Sequence, residues 1–357
     1  MDLRPLRPYT WALALGLLVP ASWVLFLLLG EDVVVFLVSG LAIVPLAWFL
    51  GLATEELGKH AGPGVGGLLN ATFGNATELI IAIFALAGGL PEVVKASLSG
   101  SIIGNVLFVL GLSMLIGGFR HKTQTFSREA SGIQVTMLVV AVISLVMPAL
   151  YVLSTRNPTG LILEEMSLGI AGMLLVAYVL GLLFSLRTHR DIFNPISEVA
   201  EEPRWTLRFA LVVLVVATGF VAIESELLVG SLASAQRSLG LTKLFIGVII
   251  IAIVGNAAEH GSAVLMAWRN KMELSVAIAT TSTTQIALFV APILVFVSLL
   301  TPKVMTLDFE IFELAAIALS AAVFGAVVSD GRSNWYEGAL LVIVYAVIAV
   351  AFLFHPE

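Results

Sequence analysis

Cysteine is missing altogether and charge is scarce, with only 12% of the chain made of Asp, Glu, Lys or Arg, about half the share usual in soluble domains. The first absence excludes a disulfide framework, a thiolate metal site and a cysteine nucleophile. The second leaves too little polar surface for a soluble fold. Neither a Gly-x-x-x-x-Gly-Lys phosphate loop nor a His-Glu-x-x-His zinc motif occurs, which argues against a built-in ATPase and a zinc peptidase. No Ser, His and Asp set is evident, so an enzyme is not expected. The net charge of −6 says less, because in a membrane protein the placement of charge matters more than its sum; no nucleic-acid partner is expected.

What is there is apolar: 59% of the 357 residues are hydrophobic and the mean hydropathy is +1.05. A membrane helix needs about 20 apolar residues, and eleven such segments are predicted, at 9–30, 33–55, 65–88, 93–118, 130–153, 163–186, 206–229, 241–267, 273–300, 309–328 and 334–354. Turn-forming clusters separate them, among them Gly62-Pro63-Gly64, Gly88-Gly89-Leu90-Pro91 and Asn157-Pro158-Thr159-Gly160. The first run follows Arg4 and Arg7 but exceeds the roughly 7 to 15 apolar residues of a signal peptide, so it is expected to stay as an uncleaved helix. Thirteen of the 18 basic residues fall on the N-terminal side of the membrane under this topology. The positive-inside rule then places the N-terminus in the cytoplasm and the C-terminus outside.

Two short stretches are near copies. Gly74-Asn75-Ala76-Thr77-Glu78 and Gly255-Asn256-Ala257-Ala258-Glu259 each lie inside an apolar segment, at an offset of 181 residues. The same offset sets Ser101 on Ser282 and Leu107-Phe108-Val109 on Leu288-Phe289-Val290, and the step from motif Glu to that Ser is 23 residues in both halves. Shared residues in one frame across two helices indicate duplication. The expected fold is an all-α polytopic membrane protein with eleven transmembrane helices, one N-terminal helix plus two inverted five-helix repeats; the odd number inverts the second copy. The divisions are 1–32, 33–186, an acidic cytoplasmic linker at 187–205, and 206–357. Many secondary transporters follow this plan, with ions bound near the midplane where helices are interrupted. Gly74 and Gly255 suit such an interruption, because glycine relaxes backbone restrictions.

A carboxylate inside a membrane helix costs about 2.5 to 3.5 kcal/mol on insertion scales and marks function by default. One such Glu can be a mere hydrogen-bonding residue between helices; a duplicated pair in matching frames argues otherwise. Asn75 and Asn256 lie one turn before Glu78 and Glu259 on the same helix face. Ser101, Ser282, Thr281 and Gln285 offer further oxygens from the following segments, although Ser and Thr often only bridge membrane helices. This all-oxygen supply favours a hard cation such as Ca²⁺ over zinc or copper. Burial disfavours a charged carboxylate and a divalent cation favours it, so Ca²⁺ and protons compete for the same oxygens. His260, beside Glu259, either tunes proton transfer or only packs. Glu55, Glu56, Glu224 and Glu226 lie near segment ends, where a solvated vestibule and plain interfacial placement are both open.

At these residues the chain resembles the calcium/proton exchanger branch of the calcium/cation antiporter superfamily. Gly66-Gly67-Leu68-Leu69-Asn70-Ala71-Thr72-Phe73-Gly74-Asn75-Ala76-Thr77-Glu78 is similar to that branch's first repeat motif and Gly255-Asn256-Ala257-Ala258-Glu259-His260 to its second. Supporting similarity lies in Ser101-Ile102-Ile103-Gly104-Asn105 and Thr284-Gln285-Ile286-Ala287-Leu288-Phe289. The resemblance implies that Glu78 and Glu259 bind the ion and exchange protons, with Asn75, Asn256, Ser101, Ser282 and Gln285 as secondary ligands or lining. It implies that Glu55 and Glu224 guide cations inward. Asn105 has Ile286 as its repeat counterpart, so any role there is not symmetric. The expectation is an antiporter of Ca²⁺ and H⁺ without a cofactor, in a prokaryotic inner membrane, with Mn²⁺/H⁺ or Na⁺/Ca²⁺ exchange as alternatives on the same fold. A cation channel and an intramembrane hydrolase at Glu259-His260 are the rivals of other classes, and a homo-oligomer is left open.

Overall fold

The computed structural model describes residues 10–155, 160–193 and 202–356. Arg4, Arg7, the turn at 157–159 and the acidic centre of the linker, 194–201, lie outside the described residues. Among the described residues, ten helices are long and apolar enough to cross a membrane. They are α1 (Thr10–Leu29), α2 (Val33–Ala61), α3 (Val65–Ala87), α4 (Pro91–Arg120), α5 (Arg128–Ser154), α6 (Gly160–Thr188), α7 (Leu207–Gly230), α9 (Met272–Ser298), α10 (Ile311–Asp330) and α11 (Trp335–Phe354). The eighth expected segment, α8, is present as two halves, Lys243–Gly255 and Ala257–Trp268, parted at Asn256. A short helix, Leu232–Leu239, precedes it at a bend of 115°.

Local chemistry sets most helix starts. Asp32 accepts from the Val34 amide to open α2, Ser127 from Ala130 to open α5, and Asn334 from Tyr336 and Glu337 to open α11. Such caps satisfy amides that have no intrahelical partner. Glu310 and Glu313 close a reciprocal capping box at the start of α10. The second segment, read as ending at residue 55, runs to Ala61, where Gly62 at a φ of 85° stops it; Glu55 and Glu56 therefore lie within a helix. Charged residues no longer count as membrane span, but they do not end a helix.

The chain divides into two compact units, and neither coincides with one sequence repeat. Unit 1 comprises residues 1–88, 184–241 and 254–258. In it α2 packs along α7, the first helices of the two repeats, over a core of Leu46, Leu50, Ala53, Leu57, Leu214, Ala217 and Val221. The second half of α3 also lies on α7. Unit 2 comprises residues 89–183, 242–253 and 259–357. There α4 packs on α11 and α9 on α6, contacts that the repeat exchanges for one another, while α5 packs on α10, its own counterpart. The first half of α8 crosses α4 so closely that a Cβ on Gly100 would overlap the Val248 carbonyl oxygen; small residues let membrane helices approach in this way.

Both α4 and α9 contain a π-helical turn, Gly104–Val109 and Ile286–Val290. These are the stretches whose sequences repeat. Phe108 packs at a tilt on Tyr345 of α11 with centroids 4.9 Å apart, and Phe289 stacks on Tyr178 of α6 at 5.0 Å. Turns of this kind gather at functional sites.

Candidate ion-binding site

In unit 1 the first motif falls at a break in α3. Helix runs to Phe73 and resumes at Ala76, and Asn75 adopts a non-helical φ of −100° and ψ of 20°. Gly74 permits the break, since a Cβ there would lie 2.5 Å from the Asn70 carbonyl oxygen. Asn75 is fully buried, and Glu78, in the first turn after the break, is 8% exposed. A broken α3 leaves backbone groups outside the helical ladder and aims a helix N-terminus, with its partial positive charge, towards the carboxylate in that turn.

The second motif repeats the arrangement, with Gly255 ending one half of α8, Asn256 forming the turn and Ala257 opening the other. Asn256 is buried. Within unit 1 the two motifs meet directly: a Cβ on Gly255 would lie 3.2 Å from Cγ of Glu78 and 3.9 Å from its carboxyl carbon. Gly255 is the space that the Glu78 side chain occupies.

Unit 2 holds Glu259, His260, Ser101, Thr281, Ser282 and Gln285. Glu259 follows the break in α8 and takes a hydrogen bond from the Ser282 hydroxyl of α9. Ser282 in turn accepts from the Asn105 amide of α4 at 2.9 Å. Asn105, Ser282, Ser101 and Gln285 are all buried. The chain Asn105 to Ser282 to Glu259 thus runs through three helices and passes through the first π-helical turn. Thr281 is half-buried, and its carbonyl accepts from Thr284 at 3.0 Å. Thr284 also donates to the buried Gln134 of α5 at 3.0 Å. His260 and Phe108 meet edge to face, with centroids 6.2 Å apart. From the sequence, Asn105 had a part without a repeat counterpart and Gln134 was not singled out; a polar side chain inside an apolar segment was the signal available for both.

The two proposed vestibule carboxylates have different surroundings. Glu55 is exposed and pairs with Lys59 at 2.8 Å. Glu224 is fully buried in α7 and accepts from the Ser22 hydroxyl of α1 at 2.8 Å. Its neighbour in role is Glu56, which is buried, pairs with Lys59 at 3.1 Å and accepts the Arg204 and Trp205 amides at 2.7 and 2.9 Å. Glu56 thereby fixes the end of the linker to α2, and His60 adds a bond to the Trp205 carbonyl oxygen at 2.7 Å. Among the described residues no group of three or more Asp, Glu and His side chains gathers as a metal cluster.

The family described as sodium/calcium exchanger protein matches residues 32–187 and again 209–354. The Ca(2+)/H(+) antiporter of Aphanothece halophytica is 46% identical over 357 residues, covering 95% of each chain. The chain belongs to the calcium/proton exchanger branch of that family. A second calcium/proton exchanger relative, the Ca(2+)/H(+) antiporter ChaA of Bacillus subtilis, is 45% identical over 94% of this chain and 96% of its own. Among solved exchangers, native YfkE superposes with a TM-score of 0.83 at 40% identity, over 94% of this chain and 97% of that one. The H+/Ca2+ exchanger CAX shares the fold, with a TM-score of 0.73 over 99% of this chain and 93% of that one at 15% identity.

Proposed function

We propose that the chain is a secondary antiporter, not an enzyme, that exports cytoplasmic Ca²⁺ in exchange for H⁺ by alternating access. Glu78 and Glu259 take up either Ca²⁺ or protons. Asn75, Asn256, Ser101, Ser282, Gln285 and the carbonyls freed at the two helix breaks supply the other oxygens. The observation that carries this reading is the buried Glu78 carboxylate lying against Gly255 of the second motif, in the middle of an otherwise apolar helix. The names of the relatives support Ca²⁺ and H⁺ as the exchanged ions.

The coupling follows from electrostatics. Carboxylates without a cation or proton are costly in a membrane interior, so a site emptied of both resists the switch between faces. Either loaded form is electrically cheaper, and only loaded forms cross. The N-terminus lies in the cytoplasm and Ca²⁺ leaves through the opposite face, in keeping with the basic residues.

Vesicles containing the purified protein, given a pH gradient in sodium-free buffer, test this. Ca²⁺ uptake that collapses with the gradient is expected, and Glu78→Gln or Glu259→Gln should abolish it while leaving folding and membrane insertion intact. Full activity in either variant would remove the two-carboxylate mechanism. Uptake that needs Na⁺, or movement of Mn²⁺ alone, would keep the fold and overturn the ion assignment.

A further inference from the structure

One face of unit 2 carries a basic cleft that ion exchange does not use. An open cavity of about 510 Å³ is lined by Arg120, His121, Leu265, Trp268 and Arg269. Arg120 is the last residue of α4 and Trp268 the last of α8. The Arg120 guanidinium carbon lies 4.7 Å over the Trp268 ring, a cation–π contact that holds the charge beside the indole. Arg120, Trp268 and Arg269 are all exposed. Lys59 pairs with Glu55 and Glu56, and Lys95 with Asp308, but among the described residues neither of these guanidiniums enters an ion pair. Among the described residues, two permanent cations therefore share one cavity without a counter-charge.

A single arginine at the end of a membrane helix is explained by the helix dipole and by topology. Those effects do not account for a cavity between two of them with an indole wall. The depth of the cleft is marked independently. Phe119 of α4 stacks on Trp335 at 5.9 Å, and Trp335 contacts Tyr336 at 5.8 Å. All three rings are exposed, and exposed aromatic belts lie at the level of the lipid headgroups.

We propose that this cleft binds the phosphate of an anionic phospholipid headgroup. The two guanidiniums take the phosphate oxygens, a geometry that suits their planar forks, and Leu265 and Trp268 border the glycerol and upper acyl carbons. A zwitterionic lipid brings its own ammonium group and leaves the second arginine uncompensated. Basic pockets between helix ends bind acidic headgroups by the same chemistry.

Native mass spectrometry of the full chain, released from micelles containing equal phosphatidylglycerol and phosphatidylcholine, tests the assignment. The wild type is expected to retain phosphatidylglycerol preferentially, and the preference should fall roughly fivefold for each arginine removed in Arg120→Gln and Arg269→Gln. Arg208→Gln, an exposed arginine of unit 1, should leave it unchanged. Arg120→Lys with Arg269→Lys retains the charge but loses the forks, and an intermediate preference is expected; H⁺-driven Ca²⁺ uptake reports that each variant is folded. Equal retention of the two lipids by the wild type overturns the proposal, as does an equal loss in Arg208→Gln, which would mean diffuse surface attraction. Displacement of the lipid by millimolar inorganic phosphate would assign the cleft to the free anion instead.

Discussion

Gly255→Ala adds one carbon where the Glu78 side chain already lies. The new Cβ would stand 3.2 Å from Cγ of Glu78 and 3.9 Å from both its carboxyl carbon and Cδ1 of Ile81. Carbon atoms rest at about 3.5 to 4.0 Å, so Cγ must retreat by a few tenths of an ångström and take the carboxylate with it. Overpacking of this size costs about 1 to 3 kcal/mol. If the protein relieves the clash by turning Glu78 aside, restoring the ion-binding position costs that energy again. At about 1.4 kcal/mol per factor of ten, the apparent KM for Ca²⁺ rises by roughly 5- to 150-fold. The stability penalty is smaller, because alanine recovers up to about 1 kcal/mol of helix propensity relative to glycine. Ca²⁺ uptake into proteoliposomes at several concentrations, with thermal unfolding of the same samples, reads both quantities. Gly219→Ala, where a Cβ meets nothing within 4 Å, should behave as the wild type. A folded Gly255→Ala protein with the KM of the wild type would refute the placement of Glu78 against the second motif as a functional contact.

Gly100→Ala has no such relief, since its Cβ would overlap a backbone carbonyl of α8; a loss of more than about 3 kcal/mol is expected, read as loss of a monodisperse peak in size-exclusion chromatography. Asn105→Ala removes the donor to Ser282 and should weaken Ca²⁺ binding by about 1 kcal/mol, roughly fivefold in KM, with little change in thermal stability. Acid should raise the KM for Ca²⁺: protons and the cation compete for the same carboxylates, so affinity is greatest where both are ionised and falls as pH drops through their titration. A KM independent of pH on the Ca²⁺-loading side would remove that competition.

The repeat, the motif residues and the eleven segments were legible because they rest on local signals: apolar runs, turn residues and one offset. The break at Asn75 and Asn256 was legible too, since glycine followed by asparagine inside an apolar run is poor helix material. Partnerships were not. Glu55 and Glu56 are neighbours in the chain, yet about 100° of helix rotation separates them, and only the second faces the amides of Arg204 and Trp205. Nothing local distinguishes them. Glu224 likewise read as a residue near a segment end, and no local signal showed that α1 delivers Ser22 to it. Asn105 looked asymmetric because its counterpart is Ile286, and its bond to Ser282 joins residues 177 apart. The compact units escaped sequence reading for the same reason, since each is assembled from both repeats.

The matched π-helical turns also bear on ancestry. Each such turn records one residue inserted into a helix, which rotates everything beyond it by about 100°. In this chain the insertion occurs in α4 and in α9 at the same register, with Val109 and Val290 as the last residue of the two turns. Two independent insertions at one register are a far less economical history than one insertion copied. One insertion copied with a five-helix unit accounts for both turns, and each copy then sets its ring, Phe108 or Phe289, against the last helix of the other.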